Sequence, residues 1–223
     1  MARTVHPGAE AFVPLHASLP QLAAAVQHCE GCELYKYATQ AVLGEGPKTA
    51  RVVMVGEQPG DKEDLAGKPF VGPAGAILDR ALEEAEISRP DVYVTNAVKH
   101  FKFEERGKRR IHQKPTAGEV HACFPWLEAE LSLLRPALIV CLGATAALAV
   151  IGRGHKLLEN RGQFFDHPRA KAVTATIRTQ LITVAARVTR SARRATLRLP
   201  TRWPWATAWQ RLFTAAIGPP PAT

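Results

Sequence analysis

Two groups of residues carry side chains capable of chemistry. The first is four cysteines, spaced Cys29-x2-Cys32, then Cys123, then Cys141. The opening residues Met-Ala-Arg-Thr-Val-His-Pro-Gly hold no apolar leader, so a disulfide pair is not the expectation. A CxxC with two distant partners reads as a four-thiolate site. Spacing alone leaves zinc, an iron–sulfur cluster and plain buried thiols all open. The second group is dispersed: Glu57 and Gln58 within Gly56-Glu57-Gln58-Pro59-Gly60, then Asp61, Glu63 and Asp64, Phe70, Asn96, and the basic run Lys108-Arg109-Arg110 with His112 after it. Taken singly, each has a bland reading. The turn can be a solvated connection, the acidic residues a helix start, Phe70 a hydrophobic plug, and His112 an inert surface imidazole.

The elements that must position them alternate between strand and helix. Arg51 to Val55 is a short β-branched run ending in the Gly56–Gly60 turn, and Val92 to Thr95 is a second, ending at Asn96. Ala137 to Cys141 predicts a third strand and Ala172 to Ile177 a fourth. Between them, Ser18 to His28 reads as a short helix delivering Cys29 and Cys32. Gly72-Pro73-Ala74-Gly75 opens a helix to about Glu86, with Ile77, Leu78, Ala81, Leu82 and Ala85 on one face. Thr116-Ala-Gly-Glu119 fits a capping box that starts a helix to about Leu134 carrying Cys123, and a short alanine-rich helix follows Gly143. The segment Lys99–Lys114 shows no periodic pattern. This order predicts one α/β domain, a three-layer α/β/α sandwich on a four-stranded, mostly parallel sheet. Ligands of such sheets bind beyond the carboxyl ends of the strands, where Glu57 and Asn96 fall.

The net charge of +9 is unevenly spread. Residues 1–177 hold 21 basic and 20 acidic side chains, whereas the 46 residues from Arg178 hold eight arginines and no Asp, Glu or Lys. The concentrated Lys108-Arg109-Arg110 run is therefore better support for nucleic-acid binding than the bulk charge. No run of 18 apolar residues predicts a membrane span. A soluble, cytoplasmic monomer is expected.

Taken in order, the Gly56–Gly60 turn, the Lys68-Pro-Phe-Val-Gly-Pro-Ala-Gly75 loop, Val94-Thr-Asn-Ala-Val-Lys99 and the four cysteines resemble the family 4 uracil-DNA glycosylases. Gln58 in its turn and Lys108-Arg-Arg-Ile-His112 resemble the UdgX branch, which traps uracil-containing DNA covalently. The likeness runs from about Cys29 to Ile177. It implies that Phe70 stacks on a uracil flipped from its strand and that Asn96 reads the pyrimidine edge. Glu57 would act by charge near the sugar or the histidine, Gln58 would hold base or loop, and Asp61 would lie at the uracil. Lys108, Arg109 and Arg110 would bind phosphates, and Cys29, Cys32, Cys123 and Cys141 would hold a 4Fe–4S cluster. His112 would replace water as the nucleophile at the sugar's C1′: a free imidazole, with a pKa of ~6.5, is mostly uncharged near neutrality.

One departure stands out. The superfamily places a second histidine, in a His-Pro turn, after its last strand, but Ile177 is followed here by Arg178-Thr179-Gln180. His167-Pro168 precedes that strand and is expected at the sheet's opposite end. The abrupt change in composition divides the chain into a glycosylase-like domain, 1–177, and a divergent arginine-rich tail, 178–223, with three of the four tryptophans. A shift of reading frame near Ile177 would produce such a tail; sequencing the gene checks it, and an open frame lacking His-Pro codons in every register removes the idea. A helical face through Trp205, Trp209, Leu212, Phe213, Ala216 and Ile217 is the alternative. The expected function is recognition and excision of uracil from DNA, single-stranded by preference, with capture through His112. The rivals are a uracil-DNA binder without catalysis, an ordinary excising glycosylase, and a redox protein, for which no GxGxxG fingerprint exists.

Overall fold

The computed structural model describes residues 6–85, 87–152, 159, 164–176, 187–191 and 194–198. Its centre is made by the β-branched runs: β1 (Val52–Gly56), β2 (Val92–Asn96) and β5 (Leu138–Leu142), nearly every residue of them buried. They join β7 (Ala170–Thr176) and β6 (Phe164–His167) in one sheet of order β2-β1-β5-β7-β6. The first four run parallel, in a register that pairs Gly56 with Asn96 and Cys141 with Ala175. The fourth expected strand, β7, begins and ends slightly earlier than predicted. β6 is an unexpected fifth, antiparallel to β7 across the turn that holds Pro168. That turn sits at the amino end of β7, as expected of His167-Pro168.

Strand periodicity sorts the core into two faces. Val53, Val55, Tyr93, Ile139 and Cys141 pack against α4 (Ala117–Leu134) and α5 (Ala144–Val150). Val52, Met54, Val94, Leu138 and Val140 pack against Leu78 and Leu82 of α3 (Pro73–Glu84). The result is the three-layer α/β/α arrangement. Each aliphatic side chain so buried contributes roughly 1.5–3 kcal/mol relative to exposure. The outer side of α4 packs Val120, Cys123 and Trp126 against Leu22 of α1 (Leu19–Ala25), Cys29 and Cys32. The predicted capping box forms, with Thr116 N donating to Glu119 Oε2 at 2.7 Å and Glu119 N to Thr116 Oγ1 at 3.2 Å.

A buried ion pair ties sheet to helix. Lys99 Nζ lies 2.5 Å from Glu130 Oε2, both side chains fully shielded from solvent. Glu130 Oε1 also accepts from Gly44 N and from Tyr93 OH, each at 2.8 Å, while Lys99 donates to the carbonyl of Asn96 at 2.8 Å.

The segment after Phe101 is not irregular. β3 (Phe103–Arg106) and β4 (Arg109–His112) form an antiparallel hairpin, Phe103 paired with His112, across a two-residue turn whose Gly107 takes φ +61°. Most of its side chains are exposed, so it lacks the apolar alternation that would have betrayed it. In the tail, β8 (Arg187–Ser191) and β9 (Arg194–Arg198) pair antiparallel, where the sequence suggested no strands. The helical face proposed for 205–217 lies outside the described residues.

Candidate active site

The carboxyl ends of β1, β2 and β5 open on a cavity of about 440 Å³ whose lining includes Glu57, Phe70, Asn96, His112 and Leu142. Two close approaches shape it. Gly56 sits where a Cβ would stand 2.4 Å from Asn96 Oδ1 and 2.7 Å from the tip of Phe70, so its bare Cα lets ring and carboxamide converge. Gly75, on the first turn of α3, meets the carbonyl of Phe70, which a Cβ would approach to 1.7 Å. Phe70 itself adopts φ +57°, an uncommon conformation for an aromatic residue. Glu63, on α2 (Asp61–Ala66), steadies this loop by accepting from Gly72 N at 3.0 Å.

Across the cavity stand an imidazole and a carboxylate. His112 Nε2 lies 3.5 Å from Glu57 Oε1, with the imidazole 43 % exposed and the carboxylate 30 %. Glu57 follows β1 directly; its other oxygen, Oε2, accepts from the Thr145 hydroxyl. Sequence reading missed Thr145, since a threonine in an alanine-rich helix gives no signal of a partner 88 residues away.

His112 is placed by the hairpin, which Gln58, Asp61 and Arg110 help to hold, while Gln58 and Asp61 also line the cavity. Gln58 donates to the carbonyls of Lys102 and Gln113 at 3.1 and 3.0 Å and accepts from Lys102 N at 3.1 Å. Of the two roles expected for Gln58, base or loop, these contacts serve the loop. Arg110 reaches inward: Nε lies 2.6 Å from Asp61 Oδ1, and an Nη lies 2.6 Å from the buried Asp64. Its guanidinium also covers the rings of Phe101 and Phe103, 5.5 and 5.1 Å from their centroids. Burial opposes its charge, and Asp64 and Asp61 outweigh that, raising its pKa. Arg110 therefore faces carboxylates rather than an open surface, and Asp61 faces Arg110. Lys108 and Arg109, by contrast, are exposed.

Three of the four cysteines gather. Cys29, Cys32 and Cys123 share one buried cluster; Trp126 Nε1 donates to Cys29 Sγ at 3.1 Å and Lys99 N to Cys123 Sγ at 3.2 Å. Burial pushes the Cys32 thiol up to about 11 and that of Cys123 up to about 12, with their neighbouring thiols adding to it. Such N–H donors suit thiolate ligands. Cys141 does not join them. It lies inside β5 in the opposite core, its thiol raised by burial alone. Of the four expected thiolates three therefore share one cluster, while Cys141 follows the strand's alternation into the α4–α5 face. His100, next to Lys99, is buried and has no hydrogen-bond partner among the described residues; burial pushes its imidazole down to about 4. Among the described residues no three ligating side chains stand close enough to clasp a single metal ion.

An aromatic ring, a carboxamide and a carboxylate–imidazole pair around a cavity at the carboxyl edge of a parallel sheet define the class. This is an α/β protein with a cavity beyond its strand ends, the place where ligands of such sheets bind. The chain belongs to the uracil-DNA glycosylase superfamily, whose sequence pattern matches residues 43–213, past the point where the motif likeness ends. It is 38% identical over 152 residues to the Type-4 uracil-DNA glycosylase of Pyrobaculum aerophilum, a match covering 66% of this chain and 74% of that protein. The Type-4 uracil-DNA glycosylase of Thermotoga maritima is 40% identical over 152 residues, 68% of this chain and 76% of its own. That of Archaeoglobus fulgidus is 41% identical over 130 residues, 58% and 62%. No described helix is long and apolar enough to cross a membrane.

Proposed function

We propose that this chain excises uracil from DNA, single strands preferred, and stays bonded to the sugar through His112. The observation carrying the proposal is the His112–Glu57 pair at the mouth of a cavity lined by Phe70 and Asn96. A uracil drawn from its strand lies on the face of Phe70, while the Asn96 amide matches one acceptor and one donor of its pairing edge. Cytosine carries an amino group where uracil has O4, so the same amide meets it wrongly. As the C1′–N1 bond breaks, its electron pair leaves on the base and the sugar becomes cation-like. Glu57 stabilises that charge electrostatically. A ring nitrogen of His112 then bonds to C1′, the imidazole gives up its N–H proton, and uracil takes one. Gln58 and Arg110 hold the hairpin that presents His112, leaving Lys108 and Arg109 for phosphates.

The test is a denaturing gel. Single-stranded DNA containing one uracil is incubated with the protein and heated in SDS. A surviving protein–DNA band is expected, and His112→Ala should abolish it; persistence of the band in that variant removes His112 as nucleophile. A second reading, ordinary excision, is favoured by the relatives' name, Type-4 uracil-DNA glycosylase. It predicts alkali-cleavable DNA without the band. A retarded native complex with neither product would mean binding alone, the outcome to which the missing His-Pro after Ile177 points.

For the cofactor we propose a 4Fe–4S cluster held by Cys29, Cys32, Cys123 and, in place of Cys141, the buried imidazole of His100. Those residues would let a bound cluster tie the segment before β1 to α4, a folding role. Iron content of purified protein checks the ligand set: Cys141→Ala should retain it, and Cys123→Ala and His100→Ala should lose most of it. Loss on Cys141→Ala alone would restore the four-thiolate set.

A further inference from the structure

Both oxygens of Glu57 have a protein partner. Oε1 faces His112 Nε2 at 3.5 Å, and Oε2 accepts the hydroxyl hydrogen of Thr145. Thr145 is only 4 % exposed and stands on the first turn of α5, so the end of β5 delivers it beneath the carboxylate. The division of oxygens matters because a cation-like sugar can be taken by either of two nucleophiles. Water attacks well when a carboxylate oxygen orients it and takes its proton. An oxygen already accepting a hydroxyl hydrogen is a weaker base and has less room for water.

We infer that Thr145 is a positioning residue that selects the nucleophile: by occupying Oε2 of Glu57 it denies water a base and leaves the sugar to His112. The inference rests on the capture proposed above. In capture, the C1′–N1 bond breaks with its pair on uracil, a C1′–N bond to the imidazole forms, and the imidazole's proton balances the one uracil gains. In the competing hydrolysis a C1′–O bond forms and water supplies that proton. Both routes share the first step and part at the second, so the ratio of their products reports on Thr145 independently of overall rate.

Thr145→Val keeps the side chain's volume and removes the hydroxyl. With single-stranded uracil DNA, the SDS-stable adduct and the free, alkali-cleavable strand are measured in the same reaction. The ratio of adduct to free strand should fall about tenfold in Thr145→Val, the scale of one hydrogen bond to a charged group, and Thr145→Ser should restore the parent ratio. A merely structural role slows both products alike, so an unchanged ratio in Thr145→Val overturns the inference. Should that variant melt well below the parent, Thr145→Ala carries the same test with the same criteria. If the parent chain yields free strand and no adduct, capture itself fails and the inference falls with it. A parent adduct with an unmoved ratio refutes Thr145 alone.

Discussion

Gly56 is small because two larger groups need its space. Asn96 Oδ1 and the Phe70 ring both lie closer to its missing Cβ than any real Cβ tolerates, and neither can retreat freely. Phe70 is held by its left-handed backbone and the α3 contact at Gly75, and Asn96 by the β1–β2 register and the Lys99 bond to its carbonyl. Gly56→Ala should therefore leave the sheet standing and spoil the base pocket. In a His112→Ala background, where no adduct interferes, affinity for a fluorescent uracil-containing strand should drop at least about tenfold, ~1.4 kcal/mol. Equal affinities would mean that the base does not enter between Phe70 and Asn96. At this scale the sequence was informative where chemistry is local: Glu57, Phe70, Asn96 and His112 all line one cavity. It was uninformative where the role depends on a distant partner. The carboxylates that turn Arg110 inward lie 46 and 49 residues earlier in the chain.

Elements were legible in proportion to how much apolar surface they bury. β1, β2 and β5 are β-branched runs inside the sheet, and α4 announces itself by Thr116 and Glu119. The β3–β4 hairpin buries little and stands on polar anchors, so no pattern marks it. Cys141 shows a different difficulty: a count of four cysteines does not say which of them strand alternation turns into another part of the core. The Lys99–Glu130 pair was invisible for a third reason, since full burial of two charges is the rarest fate for either type. Removing one partner strands the other. Lys99→Met leaves Glu130 charged and buried, at a cost of about 3–5 kcal/mol. At roughly 2–4 °C per kcal/mol for a chain of this size, Tm should fall by ~10 °C. Adding Glu130→Gln, which keeps an acceptor for Tyr93 and Gly44, should recover most of the loss in the same melting experiment. A single variant as stable as the parent would mean that Lys99 is not paired there.

At the scale of the molecule, the α/β order of elements sets the architecture and sends the strand ends to one edge, so the fold and the location of the site were readable together. Charge was the less reliable guide. A net +9 suggests a protein drawn to phosphates everywhere, yet eight of the arginines lie in the tail and Arg110 is neutralised by Asp61 and Asp64. Within the hairpin the charges free for DNA are Lys108 and Arg109, both exposed. Counterion release makes this measurable, because each phosphate contact on a single strand adds ~0.7 to the slope of log affinity against log salt. In the His112→Ala background, Lys108→Ala and Arg109→Ala should each lower the magnitude of the slope by about 0.7. Arg110→Met should leave the slope where it was, and should instead slow adduct formation when His112 is present, because the hairpin has lost its hold on α2. A slope that falls equally in all three variants would mean that Arg110 leaves its carboxylates for a phosphate when DNA binds.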